Sequence, residues 1–247
     1  MRKYGLLGKS LQHSFSKKYF EKKFSDLHLS HYQYENYELQ DLSELQNLFQ
    51  TENLSGLNVT IPYKEQILKH LDELDPLALE VGAVNCITLK NGKTKGYNTD
   101  IYGFSQSIKP FLDVNHERVL LLGTGGASKA VAYALKKIGV QTFFVSSDAA
   151  KKSENIFLYT DLNKQIMSAF RLIVNTTPLG TFPDLTECPD LPYEQLTASH
   201  FVYDLIYNPS ETLLLQKAKQ QGATVMNGLS MLQLQAEKSW EIWQTAL

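Results

Sequence analysis

Short apolar runs alternate with stretches of helical periodicity along the whole chain, the pattern of an α/β protein. In the first part of the chain this predicts strands at Lys3–Leu7, Gln33–Glu38, Gly56–Ile61, Ala83–Leu89 and Thr94–Tyr97. Helices are predicted between them at Ser16–Asp26, Leu42–Phe49 and Tyr63–Leu71. Asn91-Gly92 is a tight-hairpin signal between the last two strands, so this sheet is expected to be mixed rather than wholly parallel. A helix follows at Thr99–Phe111, with Ile101, Phe104 and Ile108 on one face. After the polar stretch Asp113 to Arg118 the series resumes with strands at Val119–Leu122, Thr142–Val145, Leu172–Asn175, Phe201–Leu205 and Ala223–Met226. Its helices are expected at Ala127–Ile138, Asn163–Ala169 and Glu211–Gln220, and a long last helix runs from Leu229 to Trp243. Two α/β lobes result.

Composition narrows the class. The 247 residues are 43% hydrophobic and 20% charged, enough apolar material for a sizeable core without staples. Lys plus Arg number 24 and Asp plus Glu 26, a net charge of −2, which argues against electrostatic nucleic-acid binding. Two cysteines, Cys86 and Cys188, cannot make a disulfide framework and suit a reducing compartment. Met1 to Lys9 lacks the apolar run of a signal peptide, and no apolar run is long enough for a membrane span, so a cytoplasmic location is expected. His28 and His31 have no third ligand nearby, and no metal site is expected.

Gly123-Thr124-Gly125-Gly126-Ala127-Ser128 follows an aliphatic strand and opens an amphipathic helix, the context in which a glycine-rich loop cradles a pyrophosphate. The first glycine permits the turn, and the second lets the phosphate approach the backbone. Ser128 stands where the usual fingerprint has a third glycine. The next strand ends at Ser146-Ser147-Asp148, where the adenosine ribose is expected. Asp148 argues for NAD and Lys151 with Lys152 for NADP, and the residues alone leave both open.

A second constellation lies in the first lobe. Asn58-Val59-Thr60-Ile61-Pro62-Tyr63-Lys64 closes a strand and starts a helix, with Asn58 and Thr60 on the face opposite Val59 and Ile61. Lys64 at a helix start opposes the dipole, a setting suited to proton exchange with a substrate oxygen. Asp100, after Gly96-Tyr97-Asn98-Thr99, can orient such a lysine, or it can serve simply as an N-cap with Lys64 a solvated charge. Ser14 and Ser16, within His13-Ser14-Phe15-Ser16, offer two hydroxyls for a carboxylate or polyol, although Ser16 also suits an N-cap. Asn85 is a polar residue in an apolar strand and needs a buried partner or a ligand.

These segments, together with Gly82-Ala83-Val84-Asn85, Asn175-Thr176-Thr177-Pro178-Leu179-Gly180, Tyr203-Asp204-Leu205-Ile206-Tyr207 and Asn227-Gly228-Leu229-Ser230-Met231 with Gln235, resemble the shikimate dehydrogenase family in order and over the whole chain. The resemblance implies a substrate-binding domain at 1–100 and 229–247, and a Rossmann-type NAD(P)-binding domain at 101–228, with the C-terminal helix returning to the first lobe. It implies reversible NADP-linked reduction of 3-dehydroshikimate to shikimate, in the biosynthesis of aromatic amino acids. Lys64 and Asp100 correspond to the family's catalytic pair. Ser14 and Ser16 correspond to its carboxylate-binding serines, with Tyr207 beside the carboxylate, and Asn58, Thr60, Asn85 and Gln235 to its ring-hydroxyl contacts. Gly123, Gly125, Gly126, Ala127 and Ser128 match its dinucleotide loop, Ser146, Ser147 and Asp148 its ribose-phosphate segment. Thr176, Thr177, Leu205 and Gly228 would flank the nicotinamide.

The chain departs from the family's pattern in three places. Lys17 replaces a usual proline, Cys86 a common threonine, and Ser146-Ser147-Asp148 the Asn-Arg-Thr that holds the 2′-phosphate. The missing arginine weakens the argument for NADP, because lysine does not reproduce a planar bidentate donor. Two other readings therefore stand beside the first: a quinate/shikimate dehydrogenase that prefers NAD, and a catalytically idle dinucleotide- or metabolite-binding protein. The expected partners are small molecules, with neither nucleic acid nor membrane, in a monomer or homodimer.

Overall fold

A computed structural model describes residues 1–12 and 14–246, in two units: Met1–Thr99 with Gln235–Leu247, and Asp100–Leu234. His13 of the first serine motif lies outside the described residues.

The first unit is built on a six-stranded mixed sheet. Its elements are β1 (Arg2–Gly8), α1 (Phe15–Asp26), β2 (Tyr32–Glu38), α2 (Leu45–Phe49), β3 (Leu54–Val59), α3 (Tyr63–Gln66), β4 (Glu73–Leu74), α4 (Pro76–Val81), β5 (Cys86–Lys90) and β6 (Lys93–Tyr97). The strand order is β2-β1-β3-β5-β6-β4. β1 runs parallel to β2 and β3, whereas β5 is antiparallel to β3 and β6. The hairpin signal holds: Asn91 and Gly92 both take positive φ, 54° and 74°, as a tight β5–β6 turn requires.

Several boundaries differ from the periodicity. The expected helix at Leu42–Phe49 begins as a 3-10 turn, and that at Tyr63–Leu71 is a single α turn followed by a 3-10 turn at Ile67–His70. β3 stops at Val59, so Ile61 is not part of a buried apolar pair but 73% exposed. Pro62 has no N–H for a ladder, which ends the strand there. α4 has no strong period, yet its caps are explicit: the Asp75 carboxylate accepts from Leu77 N, Pro76 follows, and Gly82 closes it in the left-handed region.

One face of this sheet carries Leu7, Leu57, Ile67 and Ile87, the other an aromatic cluster of Tyr4, Phe20, Phe24, Tyr34 and Trp243. Trp243 belongs to α9 (Leu229–Thr245), whose residues from Gln235 onward are part of this unit. Its indole donates to Ile87 O at 2.9 Å and lies so close over Gly56 that a Cβ there would come within 2.3 Å.

The second unit contains α5 (Asp100–Ile108), β7 (Arg118–Leu122), α6 (Gly126–Lys137), β8 (Gln141–Ser146), β9 (Ile156–Leu158), α7 (Lys164–Ala169), β10 (Leu172–Asn175), β11 (Phe201–Asp204), α8 (Leu213–Gln220) and β12 (Thr224–Met226). All its strands are parallel, in the order β12-β11-β10-β7-β8-β9. β9, three residues long, was not evident from the sequence. The chain winds outward from β7 to β9, then returns to the other side at β10. The C-terminal ends of β7 and β10 thus form a topological switch point, where doubly wound sheets place their ligands. β10 and residues 119–122 of β7 are fully buried, which explains their continuous aliphatic runs.

Candidate active site

In the first unit, backbone hydrogen bonds gather the strand ends that carry the predicted residues. Thr60 N donates to Leu7 O at 2.9 Å, Val59 N to Asn85 O at 2.9 Å, and Asn85 N to Tyr97 O at 3.0 Å. Lys64, half-buried in α3, accepts at its carbonyl from Val84 N at 2.8 Å. The helix beneath Lys64 has only four residues, so the dipole is that of one turn rather than of the longer helix expected.

Asn85 does find buried partners. Its Oδ1 accepts from Thr99 N at 2.6 Å and from Thr99 Oγ1 at 3.2 Å, and its Nδ2 donates to Gln235 Oε1 at 3.4 Å. Val84 and Asn85 therefore hold both the backbone of Lys64 and that of Thr99, the residue covalently before Asp100. Asp100 itself begins α5 and belongs to the second unit.

Both ends of the Asn58 amide are engaged. Oδ1 accepts from the Tyr34 hydroxyl at 2.8 Å, while Nδ2 donates to Asn85 O at 3.2 Å and Ser239 Oγ at 2.9 Å. Ser239 also meets Thr99 Oγ1 at 3.1 Å and donates to Gln235 O at 2.9 Å. Burial holds the Tyr34 phenol well above its ordinary range, so it acts as a neutral donor. Sequence reasoning missed Tyr34, Thr99 and Ser239. For Ser239 a signal existed, since it stands four residues after Gln235 and therefore on the same helical face.

The two serines separate. Ser14 is the N-cap residue of α1, but its side chain makes no capping bond, and its buried Oγ has no partner among the described residues. Ser16 is buried in the first turn, within hydrogen-bonding reach of Tyr34. An orphaned buried hydroxyl is costly unless a ligand or water meets it, so Ser14 Oγ is available to a polar ligand. Thr60 is half-buried, with its methyl close to Gly8.

In the second unit the glycine loop sits at the switch point. Gly123 has φ of 100°, a conformation that favours glycine, and a Cβ there would meet Thr177 Cγ2 at 3.0 Å. Gly125, the N-cap of α6, faces open space, with no protein atom within 4 Å of a Cβ position. Packing does not demand glycine there, but close approach of a phosphate to the helix N-terminus does. Ser128, 1% exposed, takes the place of the third glycine by donating to Gly125 O at 2.5 Å. The loop thus fits a dinucleotide: Gly125, Gly126 and Ala127 would hold the pyrophosphate through backbone N–H groups.

The residues after β8 divide their work. The Asp148 carboxylate accepts from Ala150 N at 3.0 Å, capping its own 3-10 turn. The buried Ser146 hydroxyl accepts from Asp148 N at 3.1 Å. Lys152 is paired with Asp161 at 2.7 Å, whereas Lys151 Nζ reaches Thr124 Oγ1 of the glycine loop at 3.1 Å.

On the opposite side of β7, Thr176 is tied to the strand end, its Oγ1 donating to Leu122 O at 2.6 Å. Thr177 N and Oγ1 both donate to Asn175 Oδ1, at 3.0 and 2.7 Å. Gly228 N donates to Ile206 O at 3.0 Å, and a Cβ on Gly228 would collide with Leu205 O at 1.9 Å. Tyr207, three residues after β11, is half-buried in this unit. No helix among the described residues is long and apolar enough to cross a membrane.

Comparison with known proteins gives a consistent result. Residues 6–87 match the family model described as "Shikimate dehydrogenase substrate binding domain". The shikimate dehydrogenase (NADP(+)) of Methanococcus vannielii is 35% identical over 257 residues, covering 97% of this chain and 90% of that protein. Among solved structures, the shikimate 5-dehydrogenase of Thermus thermophilus in complex with NADP(H) and shikimate is similar, with a TM-score of 0.86 and 30% identity over 99% of this chain and 94% of that one. A quinate dehydrogenase of Corynebacterium glutamicum in complex with NAD has a TM-score of 0.87 and 28% identity, again over 99% and 94% of the two chains.

Proposed function

The chain belongs to the shikimate dehydrogenase family, and on that premise we propose that it catalyses the reversible, NADP-linked reduction of 3-dehydroshikimate to shikimate, as a cytoplasmic monomer or homodimer. The observation that carries this reading is the loop Gly123 to Ser128 at the switch point of an all-parallel sheet, with open space over Gly125.

When bound, the reduced nicotinamide supplies a hydride. Lys64 gives a proton to the C3 oxygen of the ketone in the reducing direction and accepts it from shikimate in the other. On the family's pattern, Asp100 would orient the lysine and a substrate hydroxyl. The orphaned Ser14 hydroxyl, with Ser16, receives the carboxylate, to which the family's pattern would add Tyr207; Thr60, Asn85 and Gln235 receive ring hydroxyls. Asn58 receives a ring hydroxyl with them, its amide oriented by Tyr34, the Asn85 carbonyl and Ser239. Thr176, Thr177, Leu205 and Gly228 would flank the nicotinamide, and Ser146, Ser147 and Asp148 would lie beside the adenosine ribose.

For the cofactor, NADP is supported by Lys151, the cation that reaches the glycine loop, and by the engagement of Asp148 in its own turn. A second reading, quinate oxidation with NAD, is favoured by Ser147, which leaves no arginine for a 2′-phosphate. Absorbance of the reduced nicotinamide, followed with shikimate or quinate and with NADP or NAD, separates them. Rapid reduction with shikimate and NADP is expected. Quinate with NAD as the best of the four mixtures would replace the first reading by the second. No reduction in any mixture by folded protein would leave the idle binding protein.

A further inference from the structure

One buried carboxylate has no part in the chemistry above. Asp204, at the end of β11, is 0% exposed, and its hydrogen-bond partners among the described residues are all donors. Asn175 Nδ2 reaches its Oδ1 at 2.9 Å, Ile206 N reaches the same oxygen at 3.1 Å, and Thr212 Oγ1 reaches Oδ2 at 2.6 Å. The three donors come from three segments. Asn175 ends β10 and is the acceptor for Thr177; Ile206 lies in the turn after β11; Thr212 is the N-cap of α8. Asn175 and Thr212 are themselves 0% and 1% exposed, so these bonds are made away from the surface.

We propose that Asp204 is a positioning residue, which ties the turn after β10 to the turn after β11 and so fixes the spacing of the two turns that flank the nicotinamide. This rests on the dinucleotide reading of the second unit, and the topology gives the reason. The glycine loop follows β7, and with the adenosine toward β8 the reacting half of a bound cofactor would extend toward β10 and β11. Those two turns have few backbone bonds of their own across the gap, Leu205 N to Asn175 O at 3.0 Å being one. The side-chain tie supplies the rest. It sets distance for hydride transfer, where a small misplacement is expensive in rate.

The test uses the full chain and reads the tie from both ends. Hydrogen exchange is measured in Asp204→Ala, Asn175→Ala and wild type. Asp204→Ala is expected to speed exchange at the Thr177 amide, whose own acceptor is Asn175. Asn175→Ala is expected to speed it at the Ile206 amide, whose acceptor is Asp204. A merely local role would free only the amide that lost its acceptor, and that result overturns the proposal. Where Asp204→Ala does not fold, Asn175→Ala carries the test alone.

Kinetics supply the functional half. Asp204→Ala is expected to lower kcat by at least about 10-fold and to raise the primary deuterium isotope effect from shikimate labelled at the reacting carbon. The KM for shikimate and the affinity for adenosine 2′,5′-bisphosphate, a probe of the adenosine side, are expected to stay within about threefold. Asp204→Asn keeps an oxygen for Asn175 and Ile206, so it should restore kcat to within about threefold of wild type. Unchanged kcat in Asp204→Ala, or an Asp204→Asn protein as slow as it, would overturn the proposal. If wild type reduces neither nicotinamide, it is the proposed function that fails, and the exchange pattern still decides the role of Asp204.

Discussion

Each unit of this molecule buries a polar network at its strand ends, and the two networks are built on different physics. In the first unit every member is neutral: Tyr34, Asn58, Asn85, Thr99, Gln235 and Ser239 exchange amide and hydroxyl hydrogen bonds. In the second, a carboxylate collects three donors. A neutral network requires donors and acceptors to alternate correctly, but it costs no ion desolvation. A buried anion binds its donors more strongly and pays for it in desolvation, which pushes the Asp204 carboxyl up to about 6 despite the three hydrogen bonds that favour its charge. The first arrangement stays constant across pH. The second ties turns together at a cost to stability that depends on pH.

The largest effect belongs to the residue held by the first region. Lys64→Ala should lower kcat by about 10²–10⁴-fold, the range of a lost general acid–base group, with little change in stability. Turnover within a few-fold of wild type in steady-state kinetics would remove Lys64 from the chemistry, leaving the neutral network without a catalytic group to position.

Next comes the pH dependence of the second region. The folded Asp204 carboxyl keeps its proton up to about pH 6, whereas the unfolded one releases it near 3.8. Its contribution to stability is therefore complete below pH 3.8 and is lost as the pH rises through about 6. Asp204→Asn cannot titrate, so it should gain about 2–3 kcal/mol on wild type between pH 4 and 7, read from urea unfolding at each pH. Parallel stability curves for the two proteins would erase the contrast between the networks.

A neutral network predicts the opposite behaviour. Ser239→Ala leaves Asn58 Nδ2 short of one acceptor in a fully buried place and should cost about 1–3 kcal/mol, with no dependence on pH over the same range. A pH-dependent loss in the same unfolding series would mean that an ionic group takes part in the first network after all.

The smallest effect lies at the edge of the second unit, in solvent. Lys151→Ala should raise the KM for NADP by about fivefold and leave that for NAD unchanged, since an exposed cation contributes little even to a good partner. Equal changes for the two cofactors would show that Lys151 supports the glycine loop rather than reading a phosphate.

Much of the architecture was legible because its signals are local. Fully buried parallel strands appear as aliphatic runs, the β5–β6 hairpin as Asn91-Gly92, and the phosphate loop as glycines between strand and helix. Boundaries failed where a local rule competed with a pattern. Ile61 continued the strand alternation, but Pro62 ended the ladder, and the periodic stretch from Tyr63 to Leu71 broke into a single α turn and a 3-10 turn. Asn85 was recognised as needing a partner, yet nothing in the spacing named Thr99 and Gln235 as the partners it has. Asn175 and Asp204 stood within segments already singled out, with no role attached to them.

The sequence by itself determined the alternation of strands and helices, the mixed and parallel characters of the two sheets, the glycine loop and the family. Each depends on periodicity or on residues close in the chain. Only the tertiary structure decided which polar residues share a network, which of Asp148, Lys151 and Lys152 reaches the glycine loop, and that Asn58 is held by Tyr34 and Ser239. Hydrogen bonds are short and directional, so a pair such as Asn58 and Ser239, separated by 181 positions, exists only once packing has brought the two within 2.9 Å.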